Sequence, residues 1–492
     1  MNVKSIASLL ALGIALTASS CDDYIDLRPI STATDDNAYT TAKNAEAALV
    51  GIYDSFSQEY YIWDNILLTD VRSDNYYAGG DNAEIFQFDN LAENSGNVRL
   101  FNDWSQIYNA ISKANVVLKR VPDITDDLLT ETRKQQILGE ASFLRAYHYY
   151  QLVKTWGGVP LVTEPVMSTE PAETQKERNS EAEVYAQIIS DLEFALERLP
   201  DTYSADASVN KARATKGAVN ALLAKVYAQK PDRDYAKVET YCNAVINSPA
   251  GYALMPSFDQ LFDGGHYNNQ ESILEVQFVG GQEGNWGPNL LLPPSLTQAT
   301  WRKFVVPSKD LVAAFDSEGD EIRKNASVFF ENVPWRDEYW SPQGTESVPF
   351  AFKWRDPGSG ASTNRQYIFR LGDIILLKAE AANALNKLED ARDLVDQIRA
   401  RVGLDPTTAN DKATMQLAIE KERRLELAQE GQRWDDLVRY DRAETVMNAL
   451  QDVNLITGQT KVYNMQPYKR VLPIPQQERN LNKLLEQNSQ YN

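Results

Sequence analysis

The chain has 492 residues, of which 10% are aromatic and 24% are charged. That composition is typical of a globular protein with a large core and differs from that of a disordered chain. The 49 basic and 69 acidic side chains give a formal net charge of −20, which argues against a nucleic-acid partner and against adhesion to anionic lipids through basic patches. A neutral ligand is therefore expected over a polyanionic one, unless a local patch reverses the balance.

The first 20 residues have the features of an export signal. A single early charge, Lys4, precedes an apolar run from Ile6 to Leu16 and a stretch of small residues. The run is too short to span a bilayer, and no later stretch has the pattern of a stop-transfer helix. We therefore predict a signal peptide over residues 1–20.

The residues that follow predict a lipid anchor. Ala18 to Ser20 stand directly before Cys21 and resemble a bacterial lipobox, in which the cysteine becomes the acylated first residue. The alternative is an ordinary signal peptide with an incidental cysteine. The only other cysteine, Cys242, lies in a predicted helix, so a disulfide would have to involve the extreme N-terminus. Acylation of Cys21 is favoured, and residues 21–41 are predicted to be the anchor and a polar tether.

Helical spacing of apolar residues predicts a first half made mainly of helices, over 42–56, 104–120, 134–161 and 181–199. His148 lies inside the third of these helices and is interpreted as a packing residue and not as a ligand. Residues 60–97 lose the helical period and gain Gly, Asn, Asp and aromatic residues, which predicts a loop-rich segment.

Two pairs of helices, far apart in the sequence, fit the tetratricopeptide pattern. The first joins 212–229 to 235–247, and the second lies within 367–440. The matching positions are Leu223, Ala224, Tyr227 and Ala236 in the first pair, with Tyr241 and Ala244 one residue late, and Ala379, Ala382, Ala391, Val395 and Ile398 in the second.

The second region also contains a helix that Asp411 caps and Gly431 stops. Glu422 interrupts the apolar stripe of this helix, so its carboxylate must be paired. Arg423, Arg424 and Arg433 are the expected partners, and the functional alternative is a catalytic acid.

Between the two helical parts, residues 251–366 contain short strand-like runs and many Gly, Pro, Asn and Trp residues. An irregular insertion on a helical frame usually carries the ligand. The predicted fold is therefore mainly α, with a tetratricopeptide-like scaffold over 42–250 and 367–492 and a loop-rich insertion over 251–366, all in a single domain, 42–492.

Few catalytic arrangements fit this composition. Because His148 and His266 are the only histidines, a multi-histidine zinc site and a serine–histidine triad are disfavoured. Asp316, Glu318 and Asp320 begin like a calcium loop but lack its glycine and its closing glutamate, which favours a solvated turn. We predict no cofactor and no metal site.

Aromatic side chains in two predicted loop regions are the candidate ligand contacts. Sugars present C–H faces that pack on flat rings and hydroxyl groups that need fixed donors and acceptors. The candidates are Trp63, Asp70, Asn75, Tyr76, Tyr77 and Asp81 in the first region, and Trp286, Asn289, Trp301, Trp335, Arg336, Tyr339 and Trp340 in the second. Tryptophans in helices, such as Trp104 and Trp434, are expected in the core.

Three stretches resemble the SusD/RagB family, the surface glycan-binding lipoproteins that accompany TonB-dependent transporters. They are FLRAYHYYQLVKTWGGVPL at 143–161, RLGDIILLKAEAANAL at 370–385 followed by IEKERRLELAQEGQRWDDLVRY at 419–440, and VLPIPQQERNLN at 471–482. Asp22 and Asp23 resemble the signal that sends lipoproteins of the Bacteroidetes to the cell surface.

The resemblance implies a non-catalytic glycan-binding lipoprotein of the outer membrane that faces the cell exterior. It implies delivery of an oligosaccharide or polysaccharide to a SusC-like TonB-dependent transporter, with membrane contact through the N-terminal lipid only. Two other functions stay open. One is a helical glycoside hydrolase that uses paired carboxylates, and the other is a tetratricopeptide adaptor for protein partners.

Overall fold

The computed structural model of the chain describes residues 39–491. The predicted signal peptide, Cys21 and all but the last three residues of the predicted tether lie outside the described residues. The helices are α1 (Ala42–Tyr53), α2 (Ala83–Asp89), α3 (Val98–Arg120), α4 (Glu131–Trp156), α5 (Pro171–Thr174), α6 (Glu181–Arg198), α7 (Ala207–Ala212), α8 (Lys216–Gln229), α9 (Tyr235–Ile246), α10 (Pro288–Leu291), α11 (Pro294–Thr297), α12 (Lys309–Glu318), α13 (Glu321–Ser327), α14 (Leu371–Ala384), α15 (Leu388–Arg401), α16 (Lys412–Glu426), α17 (Arg433–Arg439), α18 (Ala443–Ala449) and α19 (Gln476–Leu481). The strands are β1 (Tyr76–Ala78), β2 (Ser272–Val276), β3 (Val305–Pro307), β4 (Val328–Asn332), β5 (Ser347–Ala351) and β6 (Gln366–Arg370).

The long helix α4 lies at the centre of the first half. Thr130 caps it by accepting a hydrogen bond from the backbone N–H of Arg133, and Gly157, at φ 75°, ends it. Helices α3 and α6 pack against α4, and residues 137–153 are all buried. His148 is among them. Its Nδ1 lies 2.5 Å from the Tyr61 hydroxyl, and burial lowers its pKa to about 3. The interpretation of His148 as a packing residue is confirmed.

Two helical hairpins, α8 with α9 and α14 with α15, stack on each other because α9 packs on α14. The mainly helical, tetratricopeptide-like scaffold is thus confirmed. In the second hairpin every position that matched the repeat pattern is buried. In α9 the match fails, because Ala236 and Ala244 are exposed and the buried stripe is formed by Val238, Cys242 and Val245.

Helix α16 begins as predicted, with Asp411 accepting hydrogen bonds from the backbone N–H groups of Ala413 and Thr414. It ends at Glu426, earlier than the predicted stop at Gly431.

Glu422 is buried and ion-paired, but not with the expected arginines. Its carboxylate lies 2.7 Å from Nη1 of Arg323 and 3.1 Å from Nη1 of Arg399. The predicted partners Arg423, Arg424 and Arg433 bind other carboxylates. Residues one or two positions apart on a helix point in different directions, so closeness in sequence was a poor guide to pairing.

Strand β6 runs directly into α14 and joins the insertion to the scaffold. Arg370, its last residue, is 1% exposed. Its Nη1 lies 2.9 Å from Glu271 and 2.6 Å from Glu426, and its Nε lies 2.6 Å from Glu430. A buried ion network of this kind holds its members in one arrangement, because an unpaired buried charge is strongly unfavourable.

The strands form three antiparallel pairs, β1 with β3, β2 with β6 and β4 with β5. The pairing of Tyr76 with Pro307 and of Ala78 with Val305 places residues 76–78 against the insertion.

The prediction of a loop-rich segment over 60–97 is wrong, because π-helical turns at Tyr60–Asp64 and Leu67–Val71, strand β1 and helix α2 fill much of it. No helix of residues 39–491 is long and apolar enough to cross a membrane.

Candidate functional site

Most of the first predicted group of contact residues lies in the interior. The buried members are Trp63, Asp70, Asn75, Tyr76 and Tyr77, and only Asp81 is exposed. The expectation that these five side chains stand on an accessible loop is wrong. Trp104 and Trp434 are buried as predicted.

Side-chain contacts account for the burial of this group. The Trp63 ring has the Arg99 guanidinium 4.9 Å from its centre. The Tyr77 hydroxyl donates a 2.8 Å hydrogen bond to Asp337. The first contact places a cation over the face of a buried ring, and the second satisfies a buried hydroxyl group.

Asp70 and Asn75 connect the first segment to the helical scaffold. Asp70 accepts a 2.8 Å hydrogen bond from the backbone N–H of Gly431, and Asn75 accepts a 2.7 Å hydrogen bond from Nε of Arg424. Burial raises the pKa of Asp70 to about 7. Both side chains therefore have a structural role.

The second predicted group contains the one exposed ring among the predicted contact residues. Trp301 is 40% exposed, and Trp286 is half-buried. The rings of Trp286, Trp63, Phe304 and Trp301, in that order, form what we call the aromatic row. Successive ring centres are 6.4, 5.8 and 5.4 Å apart. The row runs from a cleft at Trp286 to the surface at Trp301.

The cleft beside Trp286 has a volume of about 460 Å³. It lies between the end of α1, around Tyr53, and the segment that follows β2, around Phe278. Its lining includes the acidic side chains of Asp54, Glu275 and Glu283 and no basic side chain. A ligand in this cleft would contact apolar side chains and polar groups that can bind hydroxyls. The charged side chains in the lining are all negative.

Lys303 and Asn289 lie behind Trp301. The Lys303 ammonium lies 3.9 Å from the centre of the Trp301 ring and donates a 3.0 Å hydrogen bond to the backbone carbonyl of Asn289. The Asn289 side chain is half-buried at the base of this loop.

Trp335, Arg336, Tyr339 and Trp340 form a separate group on the same insertion. Tyr339 and Trp340 are half-buried, the first against Tyr77 at 4.7 Å and the second against Phe330 at 5.4 Å between ring centres. Trp335 is half-buried and Arg336 is exposed. An ion pair of 2.6 Å between Arg302 and Glu338 joins this group to the segment that carries Trp301.

Two family models match the chain. One, described as the SusD family, matches residues 341–491, and the other, described as starch-binding associating with outer membrane, matches residues 23–228. Together they cover more than half of the chain. The chain belongs to the SusD family.

Relatives and solved structures agree with this assignment. A SusD-like protein of Formosa agariphila is 27% identical over 483 residues, covering 90% of this chain and 92% of the relative. A SusD-like protein of Bacteroides ovatus is 27% identical over 476 residues, covering 89% and 83%. The structure of a laminarin-binding SusD-like protein superposes with a TM-score of 0.75 at 28% identity, covering 92% of this chain and all of that chain. Surface glycan-binding protein A from Bacteroides fluxus shares the fold, with a TM-score of 0.75 at 23% identity over 92% of this chain and 100% of its own.

In this SusD-family chain, Asp64 and Asp103 form a buried carboxyl pair next to Trp63. Their side chains are within hydrogen-bonding reach of each other, and no N–H or O–H group of the described residues reaches either oxygen of Asp103. Burial raises the pKa of Asp64 to about 7 and that of Asp103 well above its usual range. Arg99 donates a 2.9 Å hydrogen bond to Asp64 and favours its charged form, but two adjacent buried carboxylates repel each other, so the pair keeps a proton to a higher pH than isolated carboxyl groups would.

The acidic run that resembled a calcium loop is ion-paired. Asp316 contacts Lys324, Glu318 contacts Arg399, and Asp320 contacts Arg323 at 2.5 Å. Asp316 and Glu318 lie in the last turn of α12 and Asp320 is buried, so the prediction of a solvated turn is wrong. Residues 39–491 contain no group of three or more His, Cys, Asp or Glu side chains arranged to hold a metal ion.

Sequence reasoning missed three residues of the candidate site. Arg302, Lys303 and Phe304 stand between the predicted Trp301 and strand β3, and each makes one of the contacts that hold this loop. The run WRKF, with two aromatic and two basic side chains in four successive positions, was the available signal.

Proposed function

We propose that this protein is a non-catalytic glycan-binding lipoprotein of the outer membrane that takes up a neutral oligosaccharide or polysaccharide and delivers it to a SusC-like TonB-dependent transporter. The observation that carries the glycan part is the exposed Trp301 indole at the end of the aromatic row, with Trp286 at the cleft. Flat rings presented from loops on a rigid frame are the surface that sugar C–H faces require.

The charge of the cleft favours a neutral ligand. Of its acidic lining residues, Glu275 is paired with Arg365 at 2.9 Å, whereas Asp54 and Glu283, together with the net charge of −20, disfavour uronates and sulfates. The SusD-like relative whose structure is described as laminarin-binding supports a glycan as the ligand class. Trp335, Arg336, Tyr339 and Trp340 would extend the contact beyond the Arg302–Glu338 ion pair, with Asn289 and Asp81 at the margins.

Burial of the candidate acids supports a role without catalysis. A glycoside hydrolase needs a protonated carboxyl group that reaches the glycosidic oxygen. Asp64, Asp103 and Glu140 have raised pKa values, and all three are enclosed in the core. Release of reducing ends from a bound glycan, abolished by Asp54→Asn or Glu283→Gln in the cleft, would overturn this part of the proposal.

A glycan affinity panel tests the binding function. We expect the purified protein to be retained by at least one neutral polysaccharide and to bind its oligosaccharides in calorimetry. Trp301→Ala and Trp286→Ala should weaken binding about tenfold or more, the effect of removing a central aromatic contact. Tyr241→Ala, which removes a half-buried ring from the scaffold, is the control and should bind like the wild type. Equal binding by all three variants would place the ligand elsewhere.

Anchoring and delivery need separate tests. The family description of association with the outer membrane supports that location. In cells, the wild type should incorporate labelled palmitate and co-purify with a large barrel protein. Cys21→Ala should lose the label, and unchanged labelling of that variant would contradict the predicted anchor.

A further inference from the structure

Lys303 is a buried lysine without a carboxylate partner. The residue is 2% exposed, and no Asp or Glu oxygen of the described residues lies within 4 Å of its ammonium. Its partners are the backbone carbonyl of Asn289 at 3.0 Å, the Thr297 hydroxyl at 3.3 Å and the face of the Trp301 ring. A buried ammonium normally has an ion pair, so the indole face replaces one here.

The position of Lys303 defines which part of Trp301 is available to a ligand. Because the ammonium is buried and lies 3.9 Å above the ring centre, it covers the inner face of the indole. The 40% of Trp301 that is exposed therefore belongs to the opposite face and the edge. A sugar ring would stack on that outer face.

The segment that carries Trp301 has little regular structure to hold it. Residues 298–304 lie between the end of α11 at Thr297 and the start of β3 at Val305. Gln298 has a left-handed φ of 58°, which redirects the chain at the start of the segment. Lys303 ties the segment back to α10 and α11 through Asn289 and Thr297.

We propose that Lys303 is a positioning residue whose ammonium holds the Trp301 indole outward for the glycan and whose charge controls the affinity of that contact. The inference rests on the proposed glycan-binding function. A cation over an aromatic face is attracted by the ring quadrupole, and the attraction increases when water is excluded. Loss of the charge would release the ring to other orientations.

The surroundings of Lys303 make this charge sensitive to mild alkali. Burial lowers the pKa of Lys303 to about 8, with Glu331 on β4 as the carboxylate that partly opposes the effect. The neighbouring Arg302 is paired with Glu338. Asn289 and Thr297, on α10 and α11, contribute only uncharged groups. The ammonium therefore loses its charge between about pH 7 and pH 9.

The first test observes the indole without any ligand. The fluorescence difference between the wild type and Trp301→Phe isolates the Trp301 signal, and we expect this difference to titrate with a midpoint near pH 8. The fluorescence difference between Lys303→Met and the double variant that carries both Lys303→Met and Trp301→Phe should not change with pH. A flat wild-type difference between pH 6.5 and 9.5 would overturn the proposal, even if Lys303→Met fails to fold.

The second test measures glycan affinity. Lys303→Met should weaken binding about three- to tenfold at pH 7, the range expected for losing one cation–π contact. Wild-type affinity should fall by a similar factor from pH 7 to pH 9.5. Lys303→Arg, which stays charged, should bind equally at both pH values. Affinity that is independent of pH in the wild type would contradict the inference.

Trp301→Ala separates the two proposals. If that variant binds glycan like the wild type, the proposed function fails at this site. If it loses affinity while Lys303→Met and alkaline pH have no effect, the glycan site stands and only the role of Lys303 fails.

Discussion

The two aromatic-rich segments of this chain resemble each other in sequence and end in opposite environments. Residues 60–81 and 286–304 both combine tryptophan and a further aromatic residue with Asn and Gly. In the first segment Trp63 is 2% exposed, whereas in the second Trp301 is 40% exposed. Composition and lack of periodicity are therefore similar in the two segments and do not predict which one is buried.

The difference follows from what each segment connects. The first segment runs from α1 to α2, two helices that contribute to the core, and its Asp70 carboxylate and Asn75 amide bind the scaffold at Gly431 and Arg424. The segment from 298 to 304 lies between the one-turn helix α11 and the three-residue strand β3. A segment enclosed by core helices contributes its rings to the core, and one at the edge of the insertion presents them to solvent.

Removing the buried ring should give the largest effect. Trp63→Ala leaves a cavity between Phe304 and Trp286, and we expect the free energy of unfolding to fall by about 3–5 kcal/mol. Chemical denaturation measures this, with Trp301→Ala as the matched control, expected to lose less than about 1 kcal/mol. Equal losses from the two variants would contradict the contrast between the segments.

The carboxyl pair beneath Trp63 should make stability depend on pH. Because the folded-state pKa values of Asp64 and Asp103 are raised, the folded state binds more protons than the unfolded state above about pH 4. Their contribution to stability is thus complete below that pH and is lost as the pH rises to 7 and beyond.

Asp103→Asn tests this dependence. The amide can donate to Asp64 without a proton from solvent, so the decline in the free energy of unfolding between pH 5 and 7 should be shallower by up to about 1.4 kcal/mol per pH unit. Denaturation curves at several pH values measure the slope. An unchanged slope would show that the pair binds no extra proton in the folded state.

The exposed ring should affect binding more than stability. Trp301→Ala should reduce glycan affinity about tenfold, since a central aromatic contact is lost. The same calorimetric series on Trp63→Ala provides the comparison. It is run without denaturant, at a temperature at which that variant is folded. A larger affinity loss in Trp63→Ala than in Trp301→Ala would show that the row acts as a unit.

The smallest effect is expected at Asp81, the one exposed member of the first predicted group. Gly80 beside it lies against the Phe304 ring, so Asp81 stands at the margin of the aromatic row. Asp81→Asn should change glycan affinity by about threefold or less, as peripheral contacts usually do, and leave the melting temperature unchanged. A tenfold loss would move the centre of the site toward this residue.

Prediction from sequence worked where a local rule applies. Helical periodicity located α4 and the hairpin of α14 and α15, and the N-cap rule identified Asp411. Pairing across the fold was not accessible in this way. The partners of Glu422 are Arg323, 99 positions earlier, and Arg399 on another helix. Local sequence patterns do not predict ion pairs between separate elements of the fold.

The sequence by itself determined the helical scaffold, the family, and the supply of aromatic residues in two irregular segments, because periodicity and motifs are properties of contiguous residues. Only the tertiary structure decided which rings reach solvent. It did so by pairing β1 with β3, which covers Tyr76 and Tyr77, and by placing Lys303 behind Trp301. Exposure depends on what the rest of the chain lays over a residue, and for Tyr76 and Tyr77 that is set by contacts with residues more than 200 positions away.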